Sequence, residues 1–212
     1  MTAQPNPFAP HWLIRDIVIG SHLHAAGPGG LLFLGDSIVE GFYWNRIGPL
    51  SVLNAGYSGI WTEALEPKVE RLLAAARPRL AVLLVGTNDA KKGCSEAGLE
   101  AAAPHFERIL QHAQVAGIPL IVMTPPPVEA GKRLTSFYSV EAMASLSRRI
   151  VAMAEGHGAV VIDMHKAFSN ENGEARAGIT MDGIHLSAEG YRLMHGMLEA
   201  KVAEFAAKGD ER

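Results

Sequence analysis

One cysteine, Cys94, stands in 212 residues, so the chain can form no internal disulfide and suits a reducing compartment. Cys94 follows Gly93 in a polar stretch with no base at a recognisable spacing, which makes it a bystander rather than a nucleophile. Positive charge is scarce as well. Lys and Arg number 19 against 22 Asp and Glu, a formal charge of -3, and this balance offers no footprint for a phosphate backbone or an anionic membrane surface. Nucleic acid is therefore not an expected partner. No apolar run approaches the length of a membrane span, and Met1 to Pro10 carry neither the basic nor the apolar part of a secretory signal. Membrane insertion is not expected, and a cytoplasmic location is. Oligomeric state is not readable from these features.

What is present is enough apolar material for one full core. With 48% hydrophobic residues, the chain reads as a single domain over 1–212, with an N-terminal helical extension over 1–29 and a charged tail that frays over 208–212. From about residue 30, apolar runs alternate with helical patterns, the signature of a parallel sheet with helices on both faces. Strands are predicted over 31–35, 51–54, 80–86, 118–123 and 159–163. Helices are predicted over 63–76, 97–116 and 140–155, with a last one capped by Ser187; residues 11–23 also have helical character. Pro125-Pro126-Pro127 stiffens the chain after the fourth strand, as a terminator or as a wall beside a ligand. The loop over 131–136 lies at the same edge as a possible lid.

Four polar clusters follow these runs, and together they carry chemistry. Gly35-Asp36-Ser37 closes the first strand, where open α/β sheets hold their sites. Asp182-Gly183-Ile184-His185 precedes the last helix; a carboxylate three residues before an imidazole can accept from one ring nitrogen and leave the other to take a proton. Ser37 is thus the candidate nucleophile, His185 the base and Asp182 its orienting acid. Asn54 to Gly59 and Gly86 to Asp89 supply candidate donors for a developing oxyanion: the backbone N–H of Gly59, the Asn88 amide and the N–H of Ser37 itself, with Gly56 as the alternative glycine. Asp36 and Asp89 are expected to orient their loops by accepting backbone hydrogen bonds. Tyr43, Trp44, Tyr57, Ile60, Trp61, Phe137 and Tyr138 flank this edge, and Trp61, Tyr57 and Tyr138 are the candidate substrate contacts. Each of these residue types has an ordinary use in turns, caps or cores, so the weight rests on the combination. Two readings stay open beside it. A metal-dependent hydrolase would use Asp163, His165, Asp182 and His185, but no HExxH or paired-cysteine pattern supports it. A flavodoxin-like binding module would leave the serine inert.

Taken in order, the four stretches resemble those of SGNH hydrolases, the GDSL-type esterase and lipase superfamily, over roughly residues 30–195. The resemblance implies a three-layer α/β/α sandwich with a five-stranded parallel sheet, similar to flavodoxin. It also implies Ser37, Asp182 and His185 as a catalytic triad, Ser37, Gly59 and Asn88 as the oxyanion hole, and neither a metal nor an organic cofactor. The substrate it implies is a small-molecule acyl ester, with a short-chain carboxylesterase or acetylesterase favoured over a lysophospholipase or acyl-thioesterase. Acyl transfer to an alcohol is a further possibility. One departure is visible: many relatives carry Asp-Thr after the second-block glycine, whereas this chain carries Ile60-Trp61-Thr62, so a differently shaped pocket beside Gly59 is expected.

Overall fold

The computed structural model describes residues 6–91 and 96–209; Cys94 and residues 210–212 lie outside them. The elements run α1 (Ala9–Ala26), β1 (Leu31–Gly35), α2 (Ser37–Glu40), β2 (Arg46–Ile47), β3 (Leu50–Gly56), α3 (Thr62–Ala76), β4 (Leu80–Leu84), α4 (Glu96–Val115), β5 (Leu120–Met123), α5 (Val140–Gly156), β6 (Val160–Ile162), α6 (Met164–Phe168) and α7 (Ala188–Gly209). The sheet order is β2-β3-β1-β4-β5-β6. Five strands are parallel, and β2 joins the edge antiparallel to β3. Among the described residues the sheet therefore has six strands rather than the five expected. β2 is two residues long, too short for any periodic signal in the sequence.

Every residue of β1 and of β4 is buried, as a strand covered on both faces requires. Alternate side chains go to opposite faces. Leu32, Leu34, Ala81, Leu83 and Val122 meet α1, α3, α4 and α5, while Leu31, Phe33, Leu80, Val82 and Met123 meet α2, α6 and α7. Each helix buries one stripe: Leu65, Val69, Leu72 and Leu73 on α3, and Tyr191, Met194, Leu198 and Val202 on α7. Ser139 caps α5 by accepting from the Ala142 N–H, and Ser187 accepts from the Gly190 N–H at the start of α7. The expected fray from Lys208 begins inside α7, which continues to Gly209.

This order places the site. From β1 the chain crosses to β3 on one side, then returns past β1 to β4 on the other, so the C-terminal end of β1 is a topological switch point, where neighbouring connections leave in opposite directions and open a crevice. Ser37 sits there. The N-terminal helical extension is no loose appendage. α1 packs along β3 and the loop after it, with Arg15 donating to the carbonyls of Gly56 at 2.8 Å and Asn54 at 3.1 Å.

At the other end of the sheet, α3 stops at Arg77, the one non-glycine residue with positive φ among the described residues, at 42°. Its N–H still closes the helix onto the Leu73 carbonyl, so the left-handed turn is held at a steric cost. Arg77→Gly removes that cost, and urea unfolding should show a gain of about 0.5–1 kcal/mol.

Candidate active site

Asp36 is the N-cap of the four-residue α2, and its Oδ1 accepts from the Ile38 N–H at 3.0 Å. That bond leaves Ser37 as the first residue of the helix, with its hydroxyl at the mouth of the crevice. Ser37 Oγ donates to His185 Nε2 at 2.9 Å, and His185 Nδ1 donates to Asp182 Oδ2 at 2.8 Å. Asp182 Oδ1 also accepts from the backbone N–H groups of His185 at 2.9 Å and Ile184 at 3.2 Å. Burial works against its charge, but the hydrogen bonds from the His185 ring and from these two N–H groups outweigh it and hold the carboxyl below its ordinary range. Three residues assembled from the two ends of the chain thus form one continuous proton path. Gly183, at φ 111°, lets the DxxH loop turn; a Cβ there would fall 2.8 Å from Thr135 Oγ1.

The donor side is built by β3 and β4. Among the described residues, neither the Ser37 N–H nor the Gly59 N–H has an acceptor within the protein. Asn88 spends one amide proton on the Ile60 carbonyl at 2.8 Å and keeps the other. Gly59, at φ 75°, adopts a left-handed turn, and a Cβ there would fall 2.6 Å from the ring of Phe8. Gly56 ends β3 in register with Gly35, with its own N–H committed to Asn54 Oδ1 at 2.9 Å. Gly59 is therefore the glycine with a free donor. Asn54 braces this corner, since its Nδ2 donates to the carbonyls of Val39 at 2.6 Å and Phe42 at 2.9 Å and so fastens α2 to β3.

Around Ser37 and His185 lies a cavity of about 460 Å³, walled by Phe8, Ser58, Gly59, Asn88, Lys91, Leu134, Phe137 and Tyr138. Tyr138 lines this cavity. Trp61 lines an adjoining cavity instead, and Tyr57 lines neither: its ring is fully buried beneath α1, with its hydroxyl donating to Asp16 at 2.8 Å. The loop over 131–136, read as a lid, is tied down rather than free. The Leu134 N–H donates to the Asp182 carbonyl at 2.8 Å, and Thr135 Oγ1 to the Glu129 carbonyl at 2.6 Å.

Glu129 is the residue that sequence reasoning missed. Nearly buried, it accepts from the N–H of Gly178 at 2.9 Å and from the N–H and hydroxyl of Thr180 at 2.7 Å each, and pairs with Lys132 at 3.0 Å. Lys132 also donates to the Thr180 carbonyl. These bonds fix the approach to Asp182. They outweigh the burial that opposes the charge and hold the Glu129 carboxyl below its usual range. No local signal marks this glutamate, because apart from Lys132 its partners lie about 50 positions further on. Of the four candidate metal ligands, Asp163 is taken up in capping α6 through the Lys166 N–H at 2.9 Å, and among the described residues no three or more His, Cys, Asp or Glu side chains cluster in a way that could hold a metal ion.

A family model for GDSL-like lipases and acylhydrolases matches residues 33–193, which include Ser37, Gly59, Asn88, Asp182 and His185. The chain belongs to this GDSL-like family. The isoamyl acetate-hydrolyzing esterase of Saccharomyces cerevisiae is 26% identical over 163 residues, covering 71% of this chain and 66% of the yeast protein, a little under two thirds of its length. Among solved structures, a GDSL-like lipase from Bacteroides thetaiotaomicron superposes with a TM-score of 0.74 at 20% identity, over 91% of this chain and 98% of its own. The aryl esterase of M. smegmatis gives 0.68 at 16% identity, over 83% and 99%. At these identities the two structures establish a shared fold. No helix among the described residues is long and apolar enough to cross a membrane.

Two carboxyls of this GDSL-like family member sit buried behind the site. Complete burial pushes Asp36 up to about 6 against the Ile38 N–H that favours its charge. Asp89, which accepts from the Thr62 N–H and hydroxyl at 3.1 Å and so caps α3, is also pushed up to about 6, by burial and by the nearby Asp36. Both loop-orienting roles expected of these residues are visible. For Asp36 the folded state binds more protons than the unfolded one between 3.8 and about 6. Its contribution to stability is accordingly present below the lower value and is lost as pH rises through the upper one. Asp36→Asn keeps an oxygen for the Ile38 N–H and cannot ionise. In urea unfolding its stability relative to wild type should rise by about 1–3 kcal/mol between roughly pH 4 and pH 8.

Proposed function

We propose that the protein is a serine carboxylesterase that hydrolyses short-chain acyl esters through an acyl-serine intermediate. The observation that carries this reading is the unbroken path from Ser37 Oγ to His185 Nε2 at 2.9 Å and from His185 Nδ1 to Asp182 at 2.8 Å, beside the open donors of Ser37, Gly59 and Asn88. In the acylation step Ser37 Oγ bonds to the ester carbonyl carbon while His185 Nε2 takes its proton, and the Asp182 carboxylate steadies the imidazolium. The carbonyl oxygen becomes an oxyanion and accepts from the Ser37 N–H, the Gly59 N–H and the Asn88 amide. As the tetrahedral intermediate collapses, the alkoxy group leaves with the proton held on His185. Water then enters, gives its proton to His185, and releases the acid and Ser37 by the same sequence. The chain's own residues supply every group these steps need.

The short acyl group is the finer part of the proposal. It is supported by the likeness to an esterase that acts on isoamyl acetate, with the apolar side chains of Phe8, Leu134 and Phe137 lining the cavity that holds Ser37. The substrate on this reading is a small-molecule ester.

Hydrolysis of p-nitrophenyl acetate tests the reading. Ser37→Ala and His185→Ala should each lower kcat by about 10⁴ or more, and the double variant should be little worse than either, since the residues act as one unit. Additive losses would contradict it. Asn88→Ala should lower kcat by about 10²–10³, the loss on removing one oxyanion donor. An unchanged rate would remove Asn88 from the hole. Labelling by a fluorophosphonate probe should require Ser37.

A further inference from the structure

The cavity that holds Ser37 adjoins a second one of about 320 Å³, walled by Trp61, Glu63, Asp89, Gly98, Ala101 and Ala102. Phe8, Gly59, Asn88 and Lys91 belong to both. Gly59 and Asn88 carry the proposed oxyanion donors, which leaves Phe8 as the bulky apolar group on the boundary. Its ring lies over Gly59 so closely that a Cβ there would meet three of its carbons within 2.7 Å. Two contacts hold it in place, and a third braces its neighbour. Phe8 stacks on Trp12 with ring centroids 6.4 Å apart, Trp12 packs against Trp61 at 5.4 Å, and the Lys91 ammonium stands 5.9 Å from the Phe8 ring centre. Behind them, Trp12 Nε1 donates to the Ser58 carbonyl at 2.9 Å, anchoring the start of α1 to the loop that bears Gly59.

The direction of the ester follows from the chemistry. The leaving alcohol must receive its proton from His185 Nε2, so it occupies the side of the cavity where His185 lies, and the acyl chain points away from it. His185 lines the first cavity and not the second. We infer that the acyl chain runs towards the boundary and that Phe8 is a specificity-determining residue, a partition that ends the acyl subsite and closes it off from the second cavity. This inference rests on the esterase reading above, and it concerns a residue that lies outside the stretch 33–193 matched to the family.

The test is the acyl-chain profile on p-nitrophenyl acetate, butanoate, hexanoate and octanoate, in which the leaving group stays constant. Phe8→Ala joins the two cavities, so the ratio of kcat/KM for octanoate to that for acetate should rise by about tenfold or more, with Phe8→Leu moving it the same way by less. Trp12→Ala removes the ring on which Phe8 stacks, and should move the ratio the same way by less than Phe8→Ala. An unchanged ratio in Phe8→Ala overturns the partition. If Phe8→Ala fails to fold, Phe8→Leu decides alone on the same ratio. Measured on the same esters, loss of the Ser37 dependence overturns the esterase reading itself, whereas Ser37-dependent hydrolysis with a flat Phe8 response overturns only the role of Phe8.

Discussion

A hydrogen bond of 2.9 Å between residues 148 positions apart is the constraint that the rest of this structure serves. A proton moves between Ser37 and His185 only if both side chains are held to within a few tenths of an ångström, and loops do not give that accuracy unaided. Both ends are accordingly fastened from several directions. Ser37 is set by the end of a buried strand, by the Asp36 cap and by Asn54, which fastens α2 to β3. His185 is set by its own Asp182, whose loop is gripped by Glu129 upstream and by Leu134 from the facing loop. Polar groups buried this way stabilise only when fully partnered, and the Glu129 carboxylate meets that condition with three bonds and an ammonium.

The same logic extends to the oxyanion side, where α1 is the fastening. Arg15, Trp12 and His11 reach the loop after β3 and the end of α2, through the Gly56 and Ser58 carbonyls and the Glu40 carboxylate. Glu40 in turn accepts from the Ser58 N–H at 2.5 Å. The helix that bears Ser37 and the loop that bears Gly59 are thus joined through one carboxylate and one N-terminal helix. Burial opposes the Glu40 charge, yet the His11 and Ser58 bonds and Arg15 hold its carboxyl below the usual range, so the joint stays charged near neutrality.

How much of this was legible in the sequence varied with the range of the interaction. β1 and β4 were plain because strands buried on both faces read as unbroken apolar runs, and α3 and α5 because their stripes repeat at helical spacing. Ser37, Asp182 and His185 were legible because each motif places a reactive side chain at a strand or helix end, a local fact. Glu129 was not, since an i,i+3 pair with Lys132 is ordinary on any surface and the backbone groups that give the carboxylate its role come from residues 178–180. Tyr57 misled because an aromatic residue in a loop beside a site is as well suited to lie under a helix as over a ligand, and the Asp16 carboxylate that decides the matter belongs to α1. β2, two residues long, had no pattern to find. The docking of α1 depends on side chains meeting across more than 40 positions, which composition and periodicity do not encode.

These observations divide the work of the site between two parts of the chain. The groups that form the proton path and the oxyanion donors all fall within the stretch that matches the family, and all sit on or beside the sheet edge. One part of the cavity wall, the Phe8 ring, comes from a segment that precedes that stretch, held by aromatic stacking and a few bonds to carbonyl groups. Carbonyl acceptors are supplied by the backbone whatever the side chain, so they tolerate change in the segment that reaches them. The wall is for that reason the cheaper part to alter. Replacing one ring there changes the room available to a substrate without disturbing a distance on which proton transfer depends. A substitution in the 182–185 loop disturbs those distances at once. Physical separation of the reacting groups from the groups that measure the substrate allows one sheet edge to keep its chemistry while the accepted acyl group changes.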